Sequence, residues 1–380
     1  MEEKKQDEKI ESVLAEAEEA ESNVENARAL EEEMPETAAE AEAVLDAADE
    51  EKPLDKNIKL MSPTRMVLRR FFRSKLSVAG LVMLIVLFAF CWLGPAFYRT
   101  WDEDDYDRTG KIEYSAPYEC EVDGVKITQI VITDNGINKL APPSASHPLG
   151  TDEKGMDILA RLMKGGRRSL TISFLAVFMI SAIGIILGGI AGYYGGIVDS
   201  IIMRLCDILM CLPTLPLMLI IGTVLDANNV PSQYYIYLLM TILAFFSWTG
   251  MARLVRGQIL FLREQEYMVA AEAMGFSTGR KIFKHLIPNV LPQILVTMTL
   301  SLGSMILYES TLSYLNLGVR VPLSSWGTMV QIISTEAGAS ILKNNFNVWG
   351  PPGICIIIAV LGFNFIGDGL RDALDPKQRR

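Results

Sequence analysis

The chain has 380 residues, half of them hydrophobic, with 45 acidic and 35 basic side chains. An ordinary soluble globular protein fits this composition poorly, because the apolar residues fall in long runs. The negative charge is confined to one end: residues 1–52 hold 20 acidic and 5 basic residues, whereas the remaining 328 hold 25 and 30. The sequence therefore predicts a mildly basic membrane protein that carries an acidic tail.

The tail, residues 1–55, is rich in Glu and Ala and has no aromatic residue. It has too little apolar surface to offset the entropy lost on ordering, so we expect a mostly disordered, solvated segment on the cytoplasmic side. Apolar residues recur at heptad-like steps in the tail, so a transient helix stays an alternative to disorder. A role as a regulatory or partner-docking arm also stays open. The tail lacks the basic start and apolar run of a cleavable signal peptide.

Six apolar runs are long enough to cross a bilayer, for which a helix needs about 20 apolar residues. The predicted spans are residues 76–97, 170–193, 201–225, 234–255, 290–312 and 348–366. This pattern predicts an all-α polytopic membrane protein with six transmembrane helices. Its parts are a basic flank and first span at 56–97, a loop at 98–168, a transmembrane domain at 169–370 and a C-terminal segment at 371–380.

Charge predicts the orientation. Seven basic residues precede the first span: Lys56, Lys59, Arg65, Arg69, Arg70, Arg73 and Lys75. Basic residues beside a first span are retained in the cytoplasm. Six crossings then place both termini, and the connection at 256–289, on the cytoplasmic side. That connection carries five basic residues between 256 and 284, whereas the outer connection at 226–233 has none.

Residues 98–168 are predicted to form an extracytoplasmic loop. Polar and apolar residues alternate over 125–132, which predicts a small subdomain containing β strands. The acidic run at 101–105 lacks the spacing of an EF-hand, and with two histidines in the chain we expect no metal site at His147 and Asp152. Cys120 is the only cysteine of the loop, so no intrachain disulfide is expected there.

Glycines recur at every fourth position of the second span: Gly184, Gly188, Gly192 and Gly196. Such a stripe keeps one helix face free of side chains, so that another helix can approach closely. The approaching helix could belong to this chain or to a partner subunit, and the sequence does not separate the two.

Other residues of the spans also carry predictions. Arg204 and Asp207 are three residues apart in the third span and are predicted to form an ion pair on one helix face. Pro213 and Pro216 are predicted to kink the same span. Glu309 is ionisable and is predicted to lie at an interface or beside an aqueous pathway.

A polar, basic stretch at residues 266–289 interrupts the apolar runs and predicts two short helices joined by a turn. Ala270 and Ala271 are small, strong helix formers. Gly275 stands where a left-handed residue would end the first helix, and Ser277 where a second helix would begin. Pro288 is expected to stop the second helix, because proline has no amide proton.

This stretch resembles the coupling motif of binding-protein-dependent ABC importer permeases, EAA-x3-G-x9-I-x-L-P. The residues in register with the motif are Val269, Ala270, Ala271, Gly275, His285, Leu286, Ile287 and Pro288. Val269 replaces the Glu of the motif, His285 replaces its Ile, and Ile287 replaces its Leu. The ending His-Leu-Ile-Pro-Asn is similar to the dipeptide and oligopeptide branch, and so are residues 147–161, 309–318, 322–327 and 363–376.

The resemblance implies the type I ABC importer permease fold and a C-type subunit. It implies ATP-driven import of dipeptides or oligopeptides across a bacterial plasma membrane, with a homologous permease subunit, two ATP-binding subunits and an extracytoplasmic peptide-binding protein as partners. The coupling helices at 266–289 would contact the ATPases. The residues assigned to that contact are Ala270, Ala271, Gly275, Arg280, His285 and Pro288.

The sequence contains no Walker A motif, nucleophile elbow or zinc-helix motif. We therefore expect a non-catalytic subunit that binds no cofactor itself, with ATP and Mg²⁺ on partner subunits, and with membrane lipid but no nucleic acid as a partner. Two alternatives stay open. One is an importer of nickel, glutathione or another small solute in the same family, and the other is a membrane scaffold that transports nothing.

Overall fold

The computed structural model describes residues 63–110, 112–114, 118–122, 125–129, 132–335 and 337–374. The chain separates into two units, Met1–Ser62 and Pro63–Arg380, and all described residues belong to the second. The predictions for the acidic tail and for the last six residues lie outside the described residues.

Helices form most of this unit, and two short antiparallel strand pairs interrupt them. The helices are α1 Pro63–Arg73, α2 Lys75–Phe97, α3 Ile158–Tyr194, α4 Gly196–Cys211, α5 Thr214–Ala227, α6 Ser232–Ser247, α7 Thr249–Arg263, α8 Glu266–Ala273, α9 Thr278–Arg280, α10 Ile287–Leu312, α11 Trp326–Gln331, α12 Gly338–Asn344 and α13 Phe346–Leu374. Wider π turns cover Lys281–Leu286 and Ser313–Leu317, and a 3-10 turn covers Ile332–Ser334.

Within the described ranges, five helical segments are long and apolar enough to span a membrane: Lys75–Phe97, Ile158–Tyr194, Ser232–Arg263, Thr278–Leu317 and Phe346–Leu374. The bent pair α4 and α5, with a 79° angle between its halves, is a sixth if the pair is one broken span and not a re-entrant loop. Five of the six predicted spans are thereby confirmed, and the third span coincides with this bent pair; most helices extend beyond the apolar run. The break follows Leu212 and places Pro213 before α5, as predicted, whereas Pro216 sits in the first turn of α5 without breaking it.

Helix α3 is the central element. With 37 residues it is about 55 Å long, and it packs along α7 and also against α2, α6 and α10. Helices α2, α10 and α13 pack together beside it. The two ends of this bundle are named here by what they carry. The hairpin end holds residues 264–286, and the loop end holds the described residues of 98–157 together with 318–325.

The glycine stripe of α3 packs within the chain. A Cβ atom added to Gly188 would lie 2.3 Å from the carbonyl oxygen of Ala252 in α7, and Gly184 and Gly192 also face α7, with nearest atoms at 2.6 Å and 2.9 Å. The prediction for Gly196 was wrong. Helix α3 ends at Tyr194, and Gly196 has a φ of 54° with nothing within 4 Å of an added Cβ atom.

The strands lie in the predicted extracytoplasmic subdomain. Ile112–Tyr114 (β1) pairs with Ile132–Asn135 (β4), and Tyr118–Val122 (β2) pairs with Val125–Gln129 (β3). The alternating stretch thus supplies β3 and the start of β4, which confirms the strand prediction. Cys120 stands opposite Ile127 in the register, but its side chain lies outside the described part, so the disulfide prediction stays untested.

Candidate functional site: a helical hairpin at one end of the bundle

The hairpin at the hairpin end consists of α8, a turn, and α9 with the π turn that follows it. Helix α8 ends as the sequence predicted. Gly275 has a φ of 71°; its amide donates to the carbonyl of Glu272 at 2.9 Å, and the amide of Phe276 donates to that of Ala271 at 3.1 Å. These two bonds form a Schellman motif, which satisfies carbonyls that a helix end leaves without partners.

Helix α8 presents one face to its own chain and another to the surroundings. Met268 and Ala271 are buried, whereas Ala270 and Ala273 are exposed. The exposed face also carries Val269, Met274 and the turn glycine Gly275, and nothing lies within 4 Å of a Cβ atom added there. Ala271 was predicted at the outer contact surface, and this was wrong: it faces inward, because it lies one turn after Met268.

The second arm does not end at Pro288. It continues through the π turn into α10, whose first turn contains Pro288. The amide of Ile287 donates to the carbonyl of Ile282, five residues back. Proline cannot donate to the fourth carbonyl before it, and its ring crowds that carbonyl. The helix therefore widens before Pro288 instead of stopping, which corrects the prediction.

Two contacts of the Phe276 ring, with Arg280 and with His285, lie at the tip of the hairpin. The guanidinium carbon of exposed Arg280 lies 4.3 Å from the ring centroid of Phe276, within the range of a cation–π interaction. The ring of His285 lies 6.0 Å from that of Phe276, at an interplanar angle of 19°. The Nε2 atom of His285 is buried without a hydrogen-bond partner among the described residues.

The base of the hairpin packs onto α7 and α10. Met268 of α8 and Leu286 of the π turn join a buried apolar cluster. Its other members are Met251, Val255, Ile259, Val290 and Ile294. A displacement of the hairpin must therefore move these two membrane helices or break this cluster, since close-packed interiors transmit strain.

Polar contacts fix the same region. Arg256 of α7 forms a two-pronged ion pair with Asp199 of α4, with Nη2 and Oδ2 2.6 Å apart. Arg263 donates to the carbonyl of Tyr193 at 2.9 Å, where α3 ends. Lys281 lies 3.6 Å from the carboxylate of Glu272 and so joins the two arms of the hairpin. Helix α7, which leads into the hairpin, is thus joined to the second and third spans, and the two arms of the hairpin are joined to each other.

The predicted pairing of Arg204 with Asp207 was wrong. Asp207 forms its ion pair with Arg253 of α7, which is 46 residues away in the chain. Arg204 and Asp207 are both exposed on α4. A spacing of three residues permits a local pair, but the packing of α4 beside α7 supplies the stronger partner. Local sequence spacing could not predict Arg253 as the partner of Asp207, because the two are distant in the chain.

At the loop end, a buried carboxylate joins three distant segments, a feature that the sequence did not reveal. Glu103 receives hydrogen bonds from Arg168 at 2.8 Å and from the hydroxyl of Ser324 at 3.0 Å. Burial raises the pKa of Glu103, but Arg168 and Ser324 outweigh burial, so its pKa falls below the usual value. The network ties the outer loop to α3 and to the segment before α11.

A second buried group at this end is His147, which lies between two carboxylates. Its Nδ1 is 2.8 Å from Asp157, and its Nε2 is 3.2 Å from Asp107. Its ring lies 4.5 Å from that of Trp101, tilted by 30°. Burial opposes ionisation of Asp107, but hydrogen bonds from Asn138 and Thr109 outweigh it and lower the pKa of that carboxyl. Asp152, the other residue considered as a metal ligand from the sequence, contacts Arg161. The searched part of the chain holds no metal-binding cluster.

Glu309 does not reach an aqueous pathway within this chain. Its side chain is fully buried, and it accepts hydrogen bonds from Ser169 at 3.1 Å and Ser313 at 2.9 Å. The alternative, an interfacial position, stays a prediction, since burial inside the protein does not fix the depth of Glu309 in a membrane. Serines from α3 and from the π turn after α10 solvate the carboxyl group instead.

Comparisons with known proteins agree with this architecture. Residues 184–380 match the family model described as binding-protein-dependent transport system inner membrane component. Residues 62–117 match the model for the N-terminal transmembrane domain of oligopeptide transport permease C. The first match covers just over half of the chain.

The matches to curated relatives cover a larger share of the chain than the family models do. The chain is 37% identical over 338 residues to the oligopeptide transport system permease protein OppC of Bacillus subtilis, covering 89% of this chain and 96% of the relative. It is 35% identical over 320 residues to the dipeptide transport system permease protein DppC of the same organism, covering 84% and 88%. OppC of Haemophilus influenzae is 35% identical over 312 residues, covering 82% and 88%. A solved methionine ABC transporter, MetNI, aligns at a TM-score of 0.45 and 19% identity over 57% of this chain and 97% of its own. That likeness is too weak to carry an argument.

Proposed function

Since the chain belongs to the family of binding-protein-dependent transport system inner membrane components, we propose that it is the C-type permease subunit of an ATP-driven importer of dipeptides or oligopeptides. The names of the full-length relatives support the peptide substrate. The observation that carries the proposal is the hairpin: an exposed small-residue face on α8, packed at its base onto the membrane helices.

The hairpin is the proposed docking element for a pair of separate ATP-binding subunits, which would bind ATP and Mg²⁺ and hydrolyse the nucleotide. This chain would be non-catalytic and bind no cofactor. Ala270, Ala273 and Gly275 let a foreign surface approach the backbone, while Val269 and Met274 offer apolar contact area. This combination suits the docking of a short helix into a groove of a soluble partner.

Motion would pass from the hairpin to the membrane helices through the apolar cluster at its base and through the pairs made by Arg256 and Arg263. An ATPase can shift the spans between two states only if its contacts with the hairpin differ in free energy between them. Nucleotide-driven closure of the ATPases would supply that difference. A homologous second permease would complete the pathway between the two subunits.

The proposed orientation places the hairpin and both termini in the cytoplasm of a bacterial cell, with the chain in the plasma membrane. The basic residues of the connection at 256–289, set against their absence from 226–233, support this orientation. The loop end would then face outward and receive the peptide-binding protein.

Affinity co-purification tests the docking role. Ala270→Trp places a bulky ring on the exposed face of α8, and Lys343→Trp places the same ring at an exposed position of α12, outside the hairpin. We expect wild type and Lys343→Trp to retain an ATPase pair and a second permease. Ala270→Trp should lose the ATPases but keep the permease. ATPase recovery with Ala270→Trp equal to that of wild type would refute the docking role.

A further inference from the structure

The short helix α1 has one apolar face and one basic face, and the described part of the chain covers only part of the apolar face. Four arginines and no acidic residue occur among its eleven residues. On a helical projection Val67, Leu68, Phe71 and Phe72 share one arc, and Arg65, Arg69, Arg70 and Arg73 share the opposite arc. This is the pattern of a basic amphipathic helix.

Only part of the apolar arc is covered by this chain. Phe71 is buried, and its ring lies close to Gly369 near the end of α13. Leu68 is 60% exposed and Phe72 is 53% exposed. Two large apolar side chains thus project from α1 on the side next to Arg65, which is itself exposed.

The exposed apolar residues continue into a membrane span. The chain turns at Ser74, which has an extended backbone and caps α2 by accepting a hydrogen bond from the amide of Ser77. Leu76, at the start of α2, is 62% exposed, so exposed large apolar side chains occur on both sides of this break. Because α2 is a candidate span from Lys75 onward, we expect α1 to lie at the boundary between the hydrocarbon core and the headgroup region of the membrane.

We propose that α1 is a binding site for anionic phospholipid headgroups, lying in the membrane interface with Leu68 and Phe72 inserted and with Arg65 and Arg73 facing the phosphates. Charge complementarity identifies the occupant: the helix itself contains no acidic residue, and Arg65 and Arg73 are both exposed. An arginine near an anionic surface contributes about 1 kcal/mol, which corresponds to about a fivefold change in binding. The site goes beyond the transport function and does not depend on the transported solute.

Photo-crosslinking tests the site in the full-length chain within its assembled complex. Benzoylphenylalanine replaces Phe72, a conservative exchange, and the complex is placed in vesicles of equal parts phosphatidylglycerol and phosphatidylcholine. Mass spectrometry then counts the adducts. The matched control carries the crosslinker at Leu93, which is 57% exposed near the other end of α2.

We expect lipid adducts at both positions, but an excess of phosphatidylglycerol only at position 72. The double variant Arg65→Gln, Arg73→Gln should reduce that excess by an order of magnitude or more, as should high salt, and should leave the adducts at position 93 unchanged. Equal lipid ratios at the two positions would overturn the proposal. So would adducts to protein instead of lipid at position 72, since they would show that a subunit covers α1.

Discussion

Individual glycines decide how closely the membrane helices of this protein approach one another. Gly188 allows α3 to touch the backbone of α7 at Ala252, where a Cβ atom would come within 2.3 Å of a carbonyl oxygen. Without a hydrophobic driving force between helices in lipid, this contact depends on van der Waals packing over small residues. The stripe formed by Gly184, Gly188 and Gly192 therefore holds α7, and with it the base of the hairpin, against α3.

Gly188→Ala should lower the stability of the purified protein by about 1–3 kcal/mol, because the methyl group would overpack the contact with α7. Gly189→Ala is the matched control, since among the described residues the nearest atom to its added Cβ is the tip of Ile259 at 3.8 Å. That exchange should be neutral or slightly stabilising in a helix. Thermal unfolding in one detergent measures both. Equal midpoints for the two variants would show that the close approach is not required.

Glu103 should make the loop end sensitive to acid. Its pKa is lowered in the folded protein, so its stabilising contribution is complete above the unfolded-state pKa, about 4.3, and is lost as pH falls through the lower folded value. Glu103→Gln should cost roughly 1–3 kcal/mol at pH 7 and should remove part of the acid-dependent loss below about pH 4.

Unfolding midpoints between pH 7 and pH 3 check this expectation, with Asp104→Asn, an exposed neighbour, as the control. If Glu103→Gln and wild type lost stability in parallel as the pH fell, Glu103 would not be the titrating group.

Residue spacing alone predicted the glycine stripe and the turn glycine Gly275, because both follow from local helix geometry. It did not predict the partner of Asp207, because Arg253 lies 46 residues away. Nor did it predict the pairing of Glu103 with Ser324, which are 221 residues apart. The prediction that Gly196 belongs to the stripe was wrong for a local reason: Gly195, with a φ of 66°, ends the helix before the stripe is complete.

At the scale of elements, the π turn joins the hairpin to a membrane span without a flexible linker. Each widened turn adds one residue relative to a regular helix, which rotates everything that follows by about 100°. Pro288 imposes this widening at the entrance to α10. Leu286, the last residue of the π turn, lies in the buried cluster with Met268, so we expect the orientation of the hairpin relative to α10 to depend on Pro288.

Pro288→Ala should let the helix return to regular bonding and should turn the hairpin relative to α10. We expect the protein to remain folded, because the substitution adds a backbone donor and removes a ring clash. ATP-driven uptake by the assembled complex should fall by about tenfold or more, since a small misplacement of a coupling element can cost as much as 100-fold.

Uptake and ATP hydrolysis measured side by side separate coupling from folding. Pro292→Ala, within the regular part of α10, is the control. Full uptake in the Pro288 variant would show that the π turn has no role in coupling.

The sequence predicted the number and order of the membrane elements because hydrocarbon thickness fixes the length of an apolar run. It placed the hairpin between the right spans and predicted its turn. The inward face of Ala271 and the continuation through Pro288 were not predictable, because both depend on how α8 and α10 pack on α7. Propensity does not contain that tertiary context.

At the scale of the whole molecule, two ends with different chemistry are joined by long helices. The loop end is held by buried carboxylates paired with Arg168 and His147. The hairpin end exposes small and apolar residues above an apolar cluster. Helix α3 reaches from one end to the other. This arrangement suits a subunit that connects events on the two sides of a membrane.

The most direct test of the central proposal is uptake of a labelled oligopeptide into proteoliposomes that contain the complete complex, with ATP enclosed and the binding protein outside. We predict ATP-dependent accumulation with the wild-type chain, and its loss with Ala270→Trp but not with Lys343→Trp. Accumulation that did not require ATP, or that was equal in the wild-type and Ala270→Trp complexes, would contradict the assignment of this chain as an ATPase-coupled peptide permease.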